Sequence, residues 1–489
     1  MRLTQTITAK TLFSLAVGTL AFAGCVSADD STEQQSTADD GTPDAAPSDV
    51  PTMHVCSGGQ WQCKAQVVVD HNNRIAPHAV PSGIGAGDIQ SAYKLSGLPA
   101  STATIAIVDA FNYPNVESDL AQYRSAFGLP ACTKANGCLR VVNQNGATSP
   151  LPANSPRNDD WTVEAALDLD MASAVCPTCK LLFVEAQDDQ SNGLFIAQNA
   201  AAALGAVVIS NSWGGPSSGL TSDQSLDSQF LTHSGNVTTF VASGDSGFNT
   251  SPDFPSTSHL VVGVGGTRLT KSTNARGWTE TAWTSAGSSC GNETKPGFQT
   301  NVVASTTCAR RAASDVAAVA DPASGVAVFN AGAGGFIVVG GTSAASPLVA
   351  AIYARAGLAA TSAHDASYVY AHPCELFDIT TGNNGTCTGA LCHAGAGWDG
   401  PTGLGTPNGA VFGKNTTCGT TTPPPPTTCA HNLCSTGGVL AAGCASPVSG
   451  NTTCSAQLIA ADSFCGASSW DSVCVREVGT ICGLTCPGQ

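Results

Sequence analysis

The feature that most constrains the fold is a series of apolar strands that alternate with helical segments across residues 104–243. Each predicted strand is apolar throughout, which is typical of a parallel sheet covered on both faces. The predicted strands are 104–109, 139–143, 180–186, 206–212 and 237–243, and the predicted helices are 115–127, 161–175, 193–204 and 223–233. The pattern predicts an α/β fold in which a mostly parallel central sheet lies between two helical layers.

The carboxyl ends of these strands carry the first candidate site residues, because open α/β sheets place their sites at that edge. Asp109, Ser212 and Asp245 end or closely follow three of the predicted strands. Residues 277–333 show no comparable periodicity, so we expect an irregular region there.

The two ends of the chain differ in composition from the α/β domain, which we place at residues 53–417. Residues 1–24 have the basic start and short apolar run of a secretory signal peptide. Two processing sites are possible. Ala21-Phe22-Ala23 fits a signal peptidase site, and Ala23-Gly24-Cys25 resembles a bacterial lipobox, in which Cys25 would be lipidated. We therefore expect an extracellular protein, either free or lipid-anchored at the bacterial surface.

Three further segments are defined by composition. Residues 25–52 are acidic and poor in large apolar side chains, which predicts a disordered spacer. Residues 418–428 form a Pro/Thr-rich linker, and residues 429–489 form a cysteine-rich module too small for a good core without cross-links.

Cysteine content indicates an oxidising compartment. Of the 21 cysteines, 12 lie between Cys56 and Cys418 and eight between Cys429 and Cys486, so each group can close on itself. In an exported chain, even numbers of this kind favour disulfides over zinc ligation. We expect bridges from Cys56 to Cys63 and from Cys290 to Cys308, and a structural bridge in the motif 176–179.

Charge excludes two classes of partner. Charged residues make up 11% of the chain and the formal net charge is -16, which argues against nucleic acid and anionic membrane surfaces. After the signal region no stretch is long and apolar enough to span a membrane. We expect a monomer.

Residues 338–350, VVGGTSAASPLVA, form the strongest candidate for a nucleophile turn. Gly340 and Gly341 permit a tight turn, and Ser343 begins a predicted helix at 344–357 with Pro347 near its first turn. Free amide donors at a helix N-terminus can stabilise the negative charge that develops when a serine attacks. Taken alone, the same turn is also what an N-cap serine would give.

The base for such a serine is predicted to be a carboxylate. None of the nine histidines stands in a turn or helix start typical of subtilisin-like enzymes. Glu164 and Asp168 lie at i and i+4 of the predicted helix 161–175, among apolar residues, so they share one face and can share a proton. A solvated acidic helix face is the alternative interpretation.

Asp245 provides a third acid, in the strand-to-turn sequence VASGDSG. A serine hydrolase needs donors for the oxyanion, and an aspartic acid donates only while it is protonated. Carboxyl groups in both roles indicate a reaction that runs at acid pH.

These motifs resemble the sedolisin family of serine-carboxyl peptidases, which have a subtilisin-like fold. The matching segments are GGTSAASP around Ser343, the ExxLD motif from Glu164 to Asp168, ISNSWG at 209–214 and SGDSG around Asp245, within residues 105–409. The resemblance implies an endopeptidase acting on polypeptides at acid pH.

The resemblance also implies roles for individual residues. Ser343 would be the nucleophile, Glu164 the general base and acid, Asp168 its orienting partner, and Asp245 the oxyanion donor together with a backbone amide. Asp109 would extend the acidic network in a secondary role. The edge strand that pairs with substrate would be formed by Ser212, Trp213 and Gly214.

The family carries one structural calcium ion near the C-terminal end of its domain. In this chain the corresponding Ca²⁺ ligands would be the carboxylates of Asp378 and Asp399 and the carbonyls of Ile379, Gly395 and Gly397. Hard oxygen ligands in a flexible glycine-rich loop are what calcium binds.

The chain departs from the family in having only about eighty residues, much of them signal and spacer, before the segment GIGAGDIQSAYKL. No room is left there for the usual large prodomain, so the route of activation stays open. Two alternatives are a non-catalytic, surface-displayed binding lipoprotein that keeps the peptidase fold, and a histidine-dependent subtilisin-like peptidase. The cysteine-rich module could attach the protein to a substrate or to the cell surface.

Overall fold

The computed structural model describes residues 50–418, except 57, 157–159, 232–236 and 359–364, and part of the C-terminal module. The described parts of that module are residues 429, 431–438, 440, 444, 454–461, 465, 469–482, 484 and 486. The predicted signal peptide, Cys25, most of the predicted spacer and the linker from residue 419 onward lie outside the described residues.

Nineteen strands are described along the chain. They are β1 (Thr52–His54), β2 (Gln62–Cys63), β3 (Gln66–Val68), β4 (Thr104–Ala110), β5 (Leu139–Asn143), β6 (Lys180–Ala186), β7 (Val208–Asn211), β8 (Trp213–Pro216), β9 (Thr238–Ala242), β10 (Asp253–Phe254), β11 (Val262–Lys271), β12 (Trp278–Ala282), β13 (Ser289–Thr294), β14 (Arg310–Ala313), β15 (Val316–Val319), β16 (Val326–Asn330), β17 (Gly335–Gly340), β18 (Leu376–Phe377) and β19 (Thr406–Pro407).

The described α-helices are α1 (Ala86–Ala92), α2 (Val116–Ala126), α3 (Trp161–Val175), α4 (Gly193–Ala203), α5 (Leu220–Leu231), α6 (Thr342–Ala356), α7 (Ser367–Ala371), α8 (Cys454–Ala461) and α9 (Ser472–Cys482). In the part of the chain that the structure describes, every helix is too short or too polar to cross a membrane.

The central sheet confirms the predicted α/β fold. Its strand order is β12-β11-β9-β7-β4-β6-β5, with β15 paired to β11 beside this path. All its pairings are parallel except that of β11 with β12. Its strands are buried almost throughout, as their uninterrupted apolar sequences require.

The helices form the two outer layers of a subtilisin-like α/β/α arrangement. Helices α3 and α6 pack on each other and on the sheet, and α4 packs on β4 and β6 and against α5. Helix α3 has apolar residues on every side and is buried along its length, its acidic residues included. The side chain of Asp160 caps its first turn by accepting from the amide of Thr162.

Two smaller sheets are separate from the central sheet. One has the order β1-β3-β17-β16 and the other the order β10-β8-β2. Residues 52–68 contribute strands to both. The first of these strands begins at Thr52, within the segment that composition assigned to the disordered spacer.

The expectation of an irregular region at 277–333 is wrong, because five strands, β12 to β16, lie there. Most of them are antiparallel and short, and β12 alternates buried and exposed residues, so they lack the wholly apolar sequences that identified the parallel strands. The predicted helix 223–233 begins earlier, at Leu220, and is described as far as Leu231; residues 232 and 233 of the prediction lie outside the described residues. The predicted helix 344–357 begins two residues earlier, at Thr342.

Disulfides close within each predicted group. The α/β domain contains Cys56–Cys63, Cys132–Cys138, Cys176–Cys179, Cys290–Cys308, Cys374–Cys418 and Cys387–Cys392, which confirms the three pairs expected from sequence. The module contains Cys429–Cys444, Cys434–Cys486, Cys454–Cys482 and Cys465–Cys474, around a small core with buried Trp470.

Candidate active site

Ser343 is the second residue of helix α6, directly after the turn made by Gly341. Gly341 has φ of 111°, and a Cβ atom there would clash with the carbonyl oxygen of Lys64 and lie 2.6 Å from Asp245 Oδ2. The position therefore requires glycine on two grounds, backbone conformation and space. Gly340, by contrast, belongs to β17 and does not have positive φ.

The contacts of Ser343 show a helix N-terminus used as a donor site. Its backbone amide donates to the carbonyl oxygen of Lys64 over 3.0 Å. Its hydroxyl donates to the carbonyl oxygen of Ser212 over 3.2 Å. The side chain is fully buried by the surrounding chain.

Helix α3 brings Glu164 and Asp168 to the same site, and both are fully buried. The alternative of a solvated acidic helix face is thereby excluded. Asp168 Oδ1 accepts a hydrogen bond of 2.9 Å from the hydroxyl of Ser212. Ser343 is close enough to Glu164 to lower the pKa of that carboxyl group. The hydroxyl of Ser343 nevertheless points toward Ser212. Neither Glu164 oxygen therefore makes a hydrogen bond with a described residue.

Burial dominates the electrostatics of these acids. It raises the pKa of Glu164 and of Asp168 well above their ordinary values, and the neighbouring Asp109 raises both further. Asp109 itself lies near the end of β4 with both oxygens buried and without a partner among the described residues. Burial and the nearby Glu185 raise the pKa of Asp109 to about 8. The charges of Asp109, Glu164 and Asp168 thus influence one another, and we call these three residues the carboxyl cluster.

Asp245 lies against the serine turn. Its Oδ1 accepts from the amide and the hydroxyl of Thr342 at 2.8 and 2.9 Å, which fixes the plane of the carboxyl group. Its Oδ2 is buried and has no hydrogen-bond partner in the described part of the chain. Burial raises the pKa of Asp245 to about 7, against the effect of the hydrogen bonds from Thr342. At acid pH this oxygen can carry a proton aimed at the space above Gly341.

The predicted substrate-pairing strand is already paired. Trp213 and Gly214 belong to β8, which lies between β10 and β2, and Ser212 precedes it. The side chain of Trp213 is buried and its Nε1 donates to the Val108 carbonyl over 2.9 Å, so it supports the core beneath the cleft.

The predicted calcium residues converge in one loop region. Asp399 Oδ2 accepts from the amide of Gly395 over 3.2 Å, and Asp378 Oδ2 accepts from the amide of Gly397 over 3.0 Å. Burial, together with a smaller effect of the neighbouring Asp378, raises the pKa of Asp399 to about 7. Among the described residues no donor hydrogen-bonds to the carbonyls of Ile379, Gly395 or Gly397. Two adjacent carboxyl groups and three free carbonyls fit a hard cation such as Ca²⁺.

No described histidine hydrogen-bonds to Ser343. His259 Nδ1 lies 2.6 Å from Glu293 Oε2, while His372 and His393 contact backbone carbonyls. His233 lies outside the described residues. The contacts of Ser343 therefore give no support to a histidine-dependent mechanism.

Comparisons with known proteins agree with this geometry. The family model described as "Subtilase family" matches residues 153–368. Kumamolisin from Bacillus sp. (strain MN-32) is 33% identical over 360 residues, which cover 68% of this chain and 63% of the relative. Sedolisin from Pseudomonas sp. (strain 101) is 29% identical over 395 residues, which cover 71% of this chain and 64% of the relative.

A solved structure gives the same match in three dimensions. Pseudomonas sedolisin, a serine-carboxyl proteinase complexed with two molecules of pseudo-iodotyrostatin, aligns with a TM-score of 0.59 at 27% identity, covering 69% of this chain and 98% of that chain. The chain is similar to members of the sedolisin family in both sequence and structure. It spans just under two thirds of the length of the two curated relatives. Residues 427–486 match a separate model, "Domain of unknown function (DUF8252)".

Some residues of the site come from distant parts of the chain and were not predicted from the sequence. Lys64 contacts both Ser343 and Ser212, and Glu185 neighbours Asp109. No local pattern marks Lys64. The nearest available signal was the short spacing of Cys56 and Cys63, which indicates a constrained loop just before it.

Proposed function

We propose that this chain is a serine-carboxyl endopeptidase that hydrolyses polypeptides at acid pH through an acyl-enzyme on Ser343. The observation that carries the proposal is the position of Ser343 at a helix N-terminus, between the buried carboxyl cluster and the unpartnered Oδ2 of Asp245. The likeness to kumamolisin and sedolisin supports it.

In the proposed reaction, Ser343 Oγ attacks the substrate carbonyl carbon while its proton passes to Glu164. The hydroxyl reaches Glu164 by rotating away from the Ser212 carbonyl, which it contacts in the resting arrangement. Asp168 and Asp109 share the proton taken up by Glu164 and keep it inside the protein. Glu164 then protonates the leaving amine, and water repeats the sequence on the ester.

The negative charge on the substrate carbonyl oxygen is stabilised by two donors, the amide of Ser343 and the protonated carboxyl of Asp245. Asp245 donates only below its raised pKa, about 7. The carboxyl cluster can accept the proton of Ser343 only when at least one of its carboxyl groups is ionised. Activity therefore requires a window on the acid side of neutrality, with an alkaline limit set by Asp245.

A calcium ion is part of the proposed enzyme, held by the carboxylates of Asp378 and Asp399 and the carbonyls of Ile379, Gly395 and Gly397. Its support is the convergence of these groups and the free carbonyls described above. When bound, Ca²⁺ would neutralise the two acids and hold the loop closed. No step of peptide hydrolysis is assigned to it.

Export, with or without a lipid on Cys25, is also proposed. It is supported by the signal sequence and by the ten disulfides among the described cysteines. Fractionation of producing cells tests the anchor: if Cys25 is lipidated, Cys25→Ser moves the protein from the membrane fraction to the medium. An unchanged distribution favours cleavage after Ala23.

Hydrolysis of a denatured protein at about pH 4 tests the proposed activity with a matched pair of α6 variants. Ser343→Ala removes the nucleophile and should abolish hydrolysis. Ser346→Ala removes another buried hydroxyl of the same helix, which lies 2.9 Å from that of Ser210, and should keep activity near that of the unmodified protein. A wild-type protein with no activity from about pH 2 to pH 8 would favour the alternative, a surface-displayed binding lipoprotein.

A further inference from the structure

A histidine and two acidic residues converge where helix α5 meets strand β13, among side chains that the proposed hydrolysis does not use. They are Asp227 of α5, His259 of the segment before β11, and Glu293 of β13. One potential ligand atom from each residue, a carboxylate oxygen or an imidazole nitrogen, lies within 4.8 Å of the other two. The three residues are distant from one another in sequence, so the fold is what brings them together.

Both carboxyl groups are buried and incompletely hydrogen-bonded. The side chains of Asp227 and Glu293 are 4% and 3% exposed. No described residue donates a hydrogen bond to Oδ2 of Asp227 or to Oε1 of Glu293. A buried carboxylate oxygen without a donor has lost its hydration, which costs free energy unless a proton or a metal ion takes the place of water. Two such carboxyl groups facing one imidazole indicate that a positive partner belongs between them.

The other oxygen of each carboxyl group is held in place by a hydrogen bond. The hydroxyl of Ser258 donates to Asp227 Oδ1 over 2.7 Å. The amide of Leu260 donates in turn to that hydroxyl over 3.2 Å. The amide of His259 donates to Glu293 Oε2 over 3.0 Å. Each acid thus has one oxygen fixed by a donor and one oxygen free, which is how the surroundings of a metal site orient its carboxylate ligands.

The imidazole of His259 forms the open side of the cluster. Its Nδ1 lies 2.6 Å from Glu293 Oε2 and 3.7 Å from Asp227 Oδ2, so this nitrogen faces both acids. Because the histidine side chain is 46% exposed, a metal ion can enter from the solvent past the ring, and the ring can shift to make room. A metal ion bound to Nδ1 would replace the proton that this nitrogen shares with Glu293.

The ligand set determines which metal fits. An imidazole nitrogen with two carboxylates suits Zn²⁺ and related divalent transition-metal ions, whereas calcium and magnesium prefer oxygen ligands throughout. The two negative charges of the acids balance one divalent cation. The guanidinium of Arg311 does not take that place, because it makes its ion pair with Asp315. Three protein ligands leave the fourth tetrahedral position of Zn²⁺ to a water molecule on the exposed side.

We propose that Asp227, His259 and Glu293 form a structural binding site for one divalent transition-metal ion, Zn²⁺ foremost. The ion would join helix α5, the segment that leads from β10 into β11, and the sheet of β13 and β14. That sheet has two strands and is already tied by the Cys290–Cys308 disulfide. Since two strands alone are marginally stable, a metal ion would add a second tie.

The proposed site is independent of the proposed peptidase function. It shares no residue with the carboxyl cluster, with the serine turn or with the loop assigned to calcium. The expected effect is therefore on metal content and stability, and the result does not depend on whether the chain hydrolyses polypeptides.

Calorimetric titration of Zn²⁺ into the chelator-treated full chain tests the site. The titration is run at about pH 7.5, where an imidazole can lose its proton, with excess calcium so that the loop of Asp378 and Asp399 is filled. We expect one zinc ion per chain and a higher melting temperature with zinc than without it, because the ion binds the folded chain. Excess magnesium should not displace the zinc.

Variants assign the bound ion to these residues. Asp227→Asn and His259→Ala each remove one ligand, and each should weaken zinc binding about tenfold or more. His259→Ala alters a half-exposed side chain and should leave the fold intact even if Asp227→Asn does not. His372→Ala is the matched control, since Nδ1 of His372 lies 3.2 Å from the carbonyl oxygen of Thr416. This control and Ser343→Ala should both bind zinc as the unmodified chain does.

Two results would overturn the proposal. The absence of both a heat of binding and a change in melting temperature up to millimolar zinc would mean that a shared proton, rather than a metal ion, satisfies Asp227 and Glu293. Equally tight binding by His259→Ala and the unmodified chain would place the zinc ion elsewhere on the protein. Neither result would bear on the proposed hydrolysis, which is measured separately with Ser343→Ala.

Discussion

The backbone amide of Ser343 donates to the carbonyl oxygen of Lys64 over 3.0 Å, although the two residues are far apart in sequence. This hydrogen bond marks the place where a substrate carbonyl would bind. Asp245 lies beside it, and Ser343 is also near Glu164.

Gly341→Ala should abolish activity. Its φ of 111° is strained for alanine, and the added Cβ would occupy the space that the bound carbonyl oxygen and Asp245 Oδ2 share. Since small displacements in an active site lower the rate by about 100-fold, we expect at least that loss in kcat/KM.

Gly357→Ala is the matched control at the other end of α6, where φ is 74° and no atom lies near the added Cβ. It should cost about 1 kcal/mol of stability and keep the activity. Equal activities of the two variants would contradict this account of Gly341.

Glu164→Gln should lower kcat by about 10²- to 10⁴-fold, the usual contribution of a general base. Asp170→Asn is its control, because Asp170 is buried in the same helix but accepts a hydrogen bond from the Phe329 amide over 3.1 Å, outside the carboxyl cluster. Steady-state kinetics on an unfolded substrate at about pH 4 compare the two. A Glu164→Gln enzyme as active as Asp170→Asn would remove Glu164 from the reaction.

Stability should fall as pH rises from about 4 to about 8. The pKa of Asp109 is raised to about 8 and that of Asp245 to about 7, so in this window the folded chain binds more protons than the unfolded chain. The free energy of unfolding then decreases with pH. Asp109→Asn removes one of these groups, and its thermal unfolding should depend less steeply on pH. A dependence at least as steep in the variant as in the wild-type protein would show that the pKa of Asp109 is not raised.

Calcium should raise the melting temperature of the purified protein, and a chelator should lower it, because the ion binds only the folded loop. Asp399→Asn should remove most of the response. Asp365→Asn, at an acid that accepts a hydrogen bond from the Ser367 amide over 2.9 Å, should retain it. Magnesium is the second control, since it requires a tighter octahedral site than this flexible loop offers. A melting temperature indifferent to calcium would argue against the site.

The sequence determines the central sheet well because its strands are apolar on both faces, so that Leu139–Asn143 and Lys180–Ala186 could be delimited to the residue. The same holds for α3, and with it for the pairing of Glu164 and Asp168. The antiparallel strands of residues 277–333 could not be found this way, since their stability comes from partners distant in sequence. Lys64 was missed for the same reason: its neighbours are created by the fold.

The most direct test of the carboxylic-acid mechanism is the pH dependence of kcat/KM for the wild-type enzyme and for Asp245→Asn. The asparagine oxygen can accept from Thr342 as Asp245 Oδ1 does, and its amide group would donate from the position of Oδ2 at every pH. The account predicts that the wild-type enzyme loses activity as pH rises through about 7, where Asp245 ionises, and that the variant keeps its own lower activity there. A neutral or alkaline optimum in the wild-type enzyme, or the same loss near pH 7 in both proteins, would contradict it.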